Sequence, residues 1–347
     1  MRVRLEDVCE KESSKLKQSD VIDQNGLYPV YGASGYLGNI NTYQQSNYYI
    51  AVVKDGAGIG RTMLLPPESS IIGTMQYLIP KDNVLPEYLY YVVKAKHLEK
   101  YFSGATIPHI YFKDYKNEQF DLVSFEEQRV IINRLKKIEI IIDNLSKNLL
   151  LLDELVRARF VEMFGDVGMG LFNYQTCKLG DVAKVGSSHR VFTTEFVESG
   201  IPFYRGTEIG ELANGKKPIN PYYISEEHYK RLAEDETKPL IGDLLMPSIC
   251  NKGQVWMVDS EEPFYYKDGR VLCISPNKEV FNSRFLQYFM REKTLVEYPK
   301  IGSGSTFAEF KIFLLKDMDV LVPPLELQNQ FASFVQEIDK SQFVLHQ

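Results

Sequence analysis

Between residues 124 and 165 the apolar positions settle into one sustained rhythm. Ile131, Leu135, Ile138, Ile142, Leu145, Leu149, Leu152 and Val156 recur at alternating intervals of four and three. That is the seam of a coiled coil, narrower than the stripe of an ordinary surface helix. No Gly or Pro interrupts it before Gly165, so at 1.5 Å per residue the pattern predicts a rod of about 60 Å. On either side the rhythm shortens. Ahead of the rod, runs at 28–31, 48–53, 62–65 and 71–79 read as strands, and 85–102 reads as a helix. Pro86 falls in its tolerant first turn, and Tyr88, Leu89, Val92 and Val93 supply its apolar face. Behind the rod, runs at 201–204, 240–246, 254–258 and 271–274, with a helix over 283–291, predict a second α+β domain.

The two halves repeat each other. At an offset of 200, Gly104 and Thr106 match Gly304 and Thr306, and Glu126 and Gln128 match Glu326 and Gln328. The seam follows, with Ile131, Leu135, Ile138 and Leu145 facing Phe331, Val335, Ile338 and Leu345. "LEDV" at 5–8 pairs with "LGDV" at 179–182, and Gly60 aligns with Gly253. Such self-similarity predicts a plan of domain, long helix, domain, second helix. The expected boundaries are 1–123, 124–165, 166–324 and 325–347. The first half of the rod has its counterpart in the second helix, with which it is expected to pair antiparallel. The chain stops at Gln347, about half-way along the length its counterpart reaches, so Leu149, Leu152, Val156 and Met163 are expected to lack an intrachain partner. An exposed apolar seam calls for another subunit or a second copy of the chain.

Composition narrows the class. With 347 residues, 44% of them hydrophobic, the chain can fill two cores. Its charged start and the Asp143, Lys147 and Asp153 interruptions exclude a signal peptide and a membrane span. Four widely spaced cysteines, Cys9, Cys177, Cys250 and Cys273, suggest reduced structural thiols and a cytoplasmic protein. The net charge of -6 weighs against a bulk electrostatic grip on nucleic acid.

Most chemical motifs fail on context. Gly56, Gly58 and Gly60 follow a strand but lead into Met63 and Pro66-Pro67, not into the helix a phosphate loop requires, so a β-hairpin turn is expected. The five histidines lack metal-ligand spacing, and Glu309 with Lys311 lacks the further acid of a nuclease. No glycine-rich cofactor loop is joined to a polar-Pro-Pro-aromatic motif, so neither a metal, a cofactor nor a catalytic residue is assigned. Polar and aromatic loops remain, at matching places. Tyr31, Ser34 and Tyr36 lie in "YGASGYLGN", and Lys54 and Arg61 tip the glycine turn. Arg205, Thr207, Ser248, Asn251, Lys252, Gln254 and Arg270 occupy the second domain. Arg and Lys suit guanine edges, and Asn and Gln suit adenine. Thr106, His109, Ser305 and Thr306 stand before the two helices, free to bond phosphate or merely to cap a helix. A plain surface loop remains the alternative for 31–39.

Taken together, the duplicated plan, "GATIPHIYFKDYKNEQFDLVSFEEQRVIINRLKKIE" at 104–138, "GDLLMPS" at 242–248 and "VLVPPLELQNQFASFV" at 320–335 resemble the specificity subunits of type I restriction-modification enzymes. The resemblance covers essentially the whole chain. It implies two target recognition domains, each reading half of a bipartite site in double-stranded DNA, on antiparallel coiled-coil helices that set the spacing. It further implies docking of methyltransferase subunits, which would carry S-adenosylmethionine, and of nuclease or translocase subunits. The chain itself would be non-catalytic. It departs from the family's pattern in the shortened second helix, which leaves two alternatives open: a non-productive specificity subunit, or a coiled-coil interaction protein without DNA specificity.

Overall fold

The computed structural model describes residues 1–21, 25–104, 108–234, 237–301 and 308–346, the last four by backbone alone. The chain divides into two compact units, Met1–Asn144 and Leu145–Gln347.

In the first unit a strand at Tyr49–Val53 is buried along its whole length. Alternation sends its side chains two ways. Ile50 and Val52 join Leu5, Val8, Leu89 and Ile110 in one cluster, while Tyr49, Ala51 and Val53 join Met75 and Tyr77 in another. The strand sits inside a four-stranded antiparallel sheet, in the order Cys9–Ser13, Met75–Pro80, Tyr49–Val53, Thr62–Leu65. A smaller sheet sets Tyr28–Gly32 antiparallel to Gly35–Ile40 and parallel to Ser70–Ile71. Residues 31–39 thus form a hairpin rather than a plain loop. The run at 71–79 is broken by a turn, and the expected helix over 85–102 ends early. Its regular part is Pro86–Lys94, followed by a tight turn in which His97 takes a left-handed φ of 50° and a short 3₁₀ helix at Leu98–Tyr101.

The second unit repeats the design. Its four-stranded sheet runs Ala183–Gly186, Val271–Pro276, Leu244–Pro247, Trp256–Met257, and its second sheet again contains one parallel pair, Ile201–Tyr204 with Tyr265–Tyr266. Leu244 and Met246 enter one core and Leu245 the other. In both units an early strand closes antiparallel on the last: Arg2–Arg4 with Gln119–Asp121, and Thr176–Lys178, after the short pair Gly165–Asp166 and Leu171–Phe172, with Asp319–Leu321. The helix expected over 283–291 extends through Ser283–Ile301, and a helix at Gly206–Ala213 occupies a stretch that had no helical signal.

The central helix is continuous from Phe125 to Phe164. Ser124 and Glu127 cap its start reciprocally, through the Glu127 N–H to Ser124 Oγ at 3.3 Å and the Ser124 N–H to Glu127 Oε2 at 3.0 Å. Gly165 ends it with φ 101°, where a Cβ would lie 2.1 Å from the Leu171 carbonyl oxygen. Within the first unit Ile132 is buried and Ile131 packs on the core, whereas Ile138, Ile140, Ile141 and Ile142 are 50–59% exposed. Leu135 is half-buried.

The seam pairs differently from the expectation. The closing helix, Leu325–His346, lies against the second half of the central helix: Phe331 packs on Phe160 and Phe164, and the Gln342 amide reaches Asp153 at 2.8 Å. Rising numbers on one helix meet falling numbers on the other, so the pair is antiparallel. Val156, 7% exposed, shares that core with Phe331 and Val335, and Met163 and Ile338 pack against it. Val156 and Met163 therefore do have an intrachain partner. The reason is geometric, since in an antiparallel pair built from two repeats, equivalent positions fall at opposite ends and do not touch. Leu145, Leu149 and Leu152 are half-buried, and Leu345's side chain lies outside the described residues.

Candidate nucleic-acid interface

In the first unit the turn between Tyr49–Val53 and Thr62–Leu65 gathers most of the residues picked out by chemistry. It is a hairpin turn, with the Gly60 N–H donating to the Val53 carbonyl at 2.9 Å. Arg61 Nη1 donates to the Ala33 carbonyl at 2.7 Å, tying the turn to the hairpin tip that exposes Ser34 and Tyr36. Tyr31 meets Tyr36 edge-on at 6.2 Å. From the other side, the Ile110 N–H donates to the Lys54 carbonyl at 2.9 Å and the Gly56 N–H to the Pro108 carbonyl at 3.0 Å. Asp55 binds His109 Nδ1 at 2.6 Å and lies 3.8 Å from Lys54 Nζ. Beyond His109 stand Tyr111, stacked on it at 6.3 Å, and Lys113, whose ammonium lies 5.3 Å from the Tyr111 ring centre. Tyr31, Ser34, Tyr36, Lys54, Arg61 and His109 thus surround one turn. Thr106 lies outside the described residues.

The second unit closes its equivalent turn in the same way. The Phe310 N–H donates to the Ser248 carbonyl at 2.7 Å, as Ile110 does to Lys54, and the Ser248 N–H donates to the Arg270 carbonyl at 2.8 Å, as Lys54 does to Thr74 at 3.0 Å. Gly253, φ 65°, takes the place of Gly60, φ 80°. The side chains differ. Arg270 pairs with Glu309, whose other oxygen binds Lys311 Nζ at 2.6 Å. Asn251 and Lys252 are exposed, and Gln254 accepts from the Lys252 N–H at 2.9 Å. Ser305 and Thr306 lie outside the described residues.

Two chosen residues are otherwise engaged. Ser248 is 1% exposed, so its hydroxyl belongs to the fold rather than to the surface. Arg205 directs its guanidinium fork at Glu208, through Nε at 3.1 Å and Nη2 at 2.6 Å, and lies 4.5 Å over the Tyr222 ring. Burial pushes the Glu208 carboxyl upward, but Arg205 and two backbone N–H groups outweigh it and hold the group below its usual range. Thr207, in the first turn of that helix, is exposed. Side-chain type missed Tyr111, Lys113, Glu309 and Lys311 as members of these surfaces; their signal was the spacing of 200 from His109 to Glu309 and from Tyr111 to Lys311.

The remaining chemistry is quiet. All four cysteines are free; burial pushes the Cys9 and Cys273 thiols up to about 12 and Cys250 to about 11. Among the described residues there is no cluster of three metal-ligating side chains, and no helix is long and apolar enough to cross a membrane.

Two α+β units of one design, each anchoring a turn with two equivalent backbone bonds, define a duplicated domain family. The family model described as type I restriction modification DNA specificity domain matches residues 1–151 and again 173–347, and the chain belongs to that family. Among particular relatives it is similar to the MjaIX type I restriction enzyme specificity subunit of Methanocaldococcus jannaschii, 25% identical over 285 residues. That match takes in 75% of this chain and 64% of the relative's own length. Its fold is that of the crystallised S subunit of a type I restriction-modification system from M. genitalium, with a TM-score of 0.61, 16% identity, and 100% and 91% of the two chains covered. A chain solved in work on complex assembly and conformational transition of the type I R-M system matches with a TM-score of 0.56 and 16% identity, over 99% and 91% of the chains.

Proposed function

We propose that this chain is the DNA sequence-recognition subunit of a type I restriction-modification complex, each unit reading one half of a bipartite double-stranded target. One observation carries the reading. The two units anchor the turn with two equivalent backbone hydrogen bonds but furnish it with different side chains: His109, Asp55 and Arg61 in one, Glu309, Arg270 and Lys252 in the other. A constant frame with varied tips is what two readers of unlike sequences require, since base edges are told apart by the donors and acceptors offered to them. The chain is non-catalytic in this reading and acts in the cytoplasm. Methylation belongs to partner modification subunits that bind S-adenosylmethionine, and cleavage to restriction subunits where they join.

The exposed Ile138, Ile140, Ile141 and Ile142 are where a modification subunit docks, because such an apolar run is costly to leave in water. The same run supports a second reading, a coiled-coil interaction protein without DNA specificity or a specificity subunit that holds its methyltransferase unproductively. Co-expression with the methyltransferase and mapping of methylated bases separates them. An asymmetric two-part motif supports the first; one continuous palindromic motif overturns two-reader recognition, and a stable but inactive complex supports the second.

A further inference from the structure

The repeat that aligned best in sequence contains a side chain with no evident reason to be buried. Gln128 and Gln328 are 1% and 0% exposed, and each is the fourth residue of its helix. Gln128 Oε1 accepts from the Leu85 N–H at 2.8 Å, and its Nε2 donates to the Val123 carbonyl at 3.0 Å. Gln328 Oε1 accepts from the Asn282 N–H at 3.0 Å, and its Nε2 donates to the carbonyls of Val280 at 2.9 Å and Pro323 at 2.8 Å. The partners are equivalent. Leu85 and Asn282 each immediately precede the domain's own helix, Pro86–Lys94 or Ser283–Ile301, and Val123 and Pro323 end the segment that leads out of the domain. A single amide therefore joins three pieces of chain at the root of each long helix.

A second contact lies three turns further out. In the first unit Tyr91 Oη and Lys94 Nζ both donate to Glu139, at 2.8 and 3.2 Å; in the second, Arg284 Nη1 donates to Asp339 at 2.7 Å. Glu139 and Asp339 are again 200 residues apart. Two points of attachment fix the direction of a rod where one leaves a pivot.

We propose that Gln128 and Gln328 are positioning residues for DNA reading: each, with its outer carboxylate contact, sets the angle at which a domain is carried on its helix. The proposal rests on the DNA-reading function above. An amide is suited to this in a way few side chains are, since it donates and accepts at once without charge. Methionine fills the volume but pairs neither group, and glutamate brings a charge with no proton for the carbonyl. Leverage makes the angle matter. A tilt of about 10° at the root of a rod of about 60 Å moves its far end by roughly 10 Å, the rise of about three base pairs at 3.4 Å each.

Two measurements on the full chain test this. Spin labels replacing the exposed Lys11 and Lys137, both in the first unit, report the angle through their distance distribution, in a Cys177→Ser background. Gln128→Met is expected to shift or broaden it by roughly 3 Å, the displacement that a tilt of about 10° gives a point about 18 Å along the rod, while Gln328→Met leaves it unchanged. In complex with modification subunits, Gln128→Met is expected to lower discrimination between native half-site spacing and spacings altered by one to three base pairs about tenfold. An unchanged distance distribution in a folded Gln128→Met chain overturns the proposal, as does a loss of methylation equal at all spacings. If Gln128→Met does not fold, Tyr91→Phe with Lys94→Gln cuts only the outer contact and must shift the distribution; no shift overturns the proposal. If the unaltered complex methylates no bipartite site, the DNA-reading function falls, and the label distances alone decide whether the glutamine sets the angle.

Discussion

At the scale of single residues, chemistry read from the sequence names groups that the fold brings to one turn but not their commitments. Arg205 was a fair candidate for a guanine edge, yet Glu208 claims its fork; the Arg-x-x-Glu spacing across one helical turn was the legible hint. The pair matters for stability. Glu208 is 4% exposed and its pKa is lowered, so its contribution is present above the unfolded carboxyl value near 4.5 and lost as the pH falls through the lower folded value. Glu208→Gln is expected to destabilise the second unit by about 2 kcal/mol at pH 7, reduced from a fully buried pair because Arg205 is partly in water. Urea titrations from pH 7 to 3 should show the variant's deficit shrinking on acidification; a deficit constant with pH would refute the assignment. Gly60 gives a second residue-level prediction. Its φ is 80°, and an added Cβ would lie 2.6 Å from the Glu99 amide nitrogen. Gly60→Ala should cost more than about 1 kcal/mol by the same titration, whereas Gly35→Ala, at φ 114° with nothing within 4 Å, suffers only the backbone strain.

At the scale of elements, periodicity was most informative where it was longest. The seam positions gave a helix now seen at Phe125–Phe164, and the unbroken apolar run at 48–53 gave a strand buried on both faces. Shorter elements were hidden by local chemistry: the left-handed turn at His97 breaks an apolar pattern that continues past it, and Gly206–Ala213 carries glycines that mask a helix. The partner of the seam was not legible, because self-similarity reports common design and not contact. Phe160 and Phe164, four residues apart and outside the regular seam, were the overlooked sign, since aromatics of that size demand a core. Phe160 is 1% exposed and lies within 6.5 Å of six-membered rings on Phe285, Tyr288, Phe289 and Phe331. Phe160→Ala is expected to cost about 3–5 kcal/mol. Ile141→Asp, at a position 55% exposed, should leave the thermal midpoint within a few degrees and instead abolish co-purification with a modification subunit. A large stability loss from Ile141→Asp would show that the isoleucine run is covered within the chain itself.

At the scale of the whole molecule, the acidic balance and the proposed DNA-reading role must be reconciled, and the charges at the two turns show how. Phosphate binding gains its strength from counterion release, with a salt slope of about 0.9 per phosphate neutralised. Here the net charge is -6, and the cations at the turns are shared with carboxylates: Lys54 with Asp55, which also bonds His109 Nδ1, and Arg270 and Lys311 with Glu309. Each such pair must loosen before its cation serves a phosphate, which weakens the grip and makes it depend on what the loop meets. Arg61, anchored by one nitrogen to the Ala33 carbonyl, keeps further donors available. The isolated chain is therefore expected to bind duplex DNA only in the micromolar range or weaker near physiological salt, the regime of non-specific contact at about 10⁻⁴–10⁻⁶ M. Its log-log salt slope should be shallow, and both affinity and slope should rise when modification subunits add their own phosphate contacts. Fluorescence anisotropy of a labelled duplex across a salt series measures both quantities. Nanomolar, salt-resistant binding by the chain alone would mean that its own surface grips the backbone, and that the carboxylates beside those cations are not the restraint their geometry suggests.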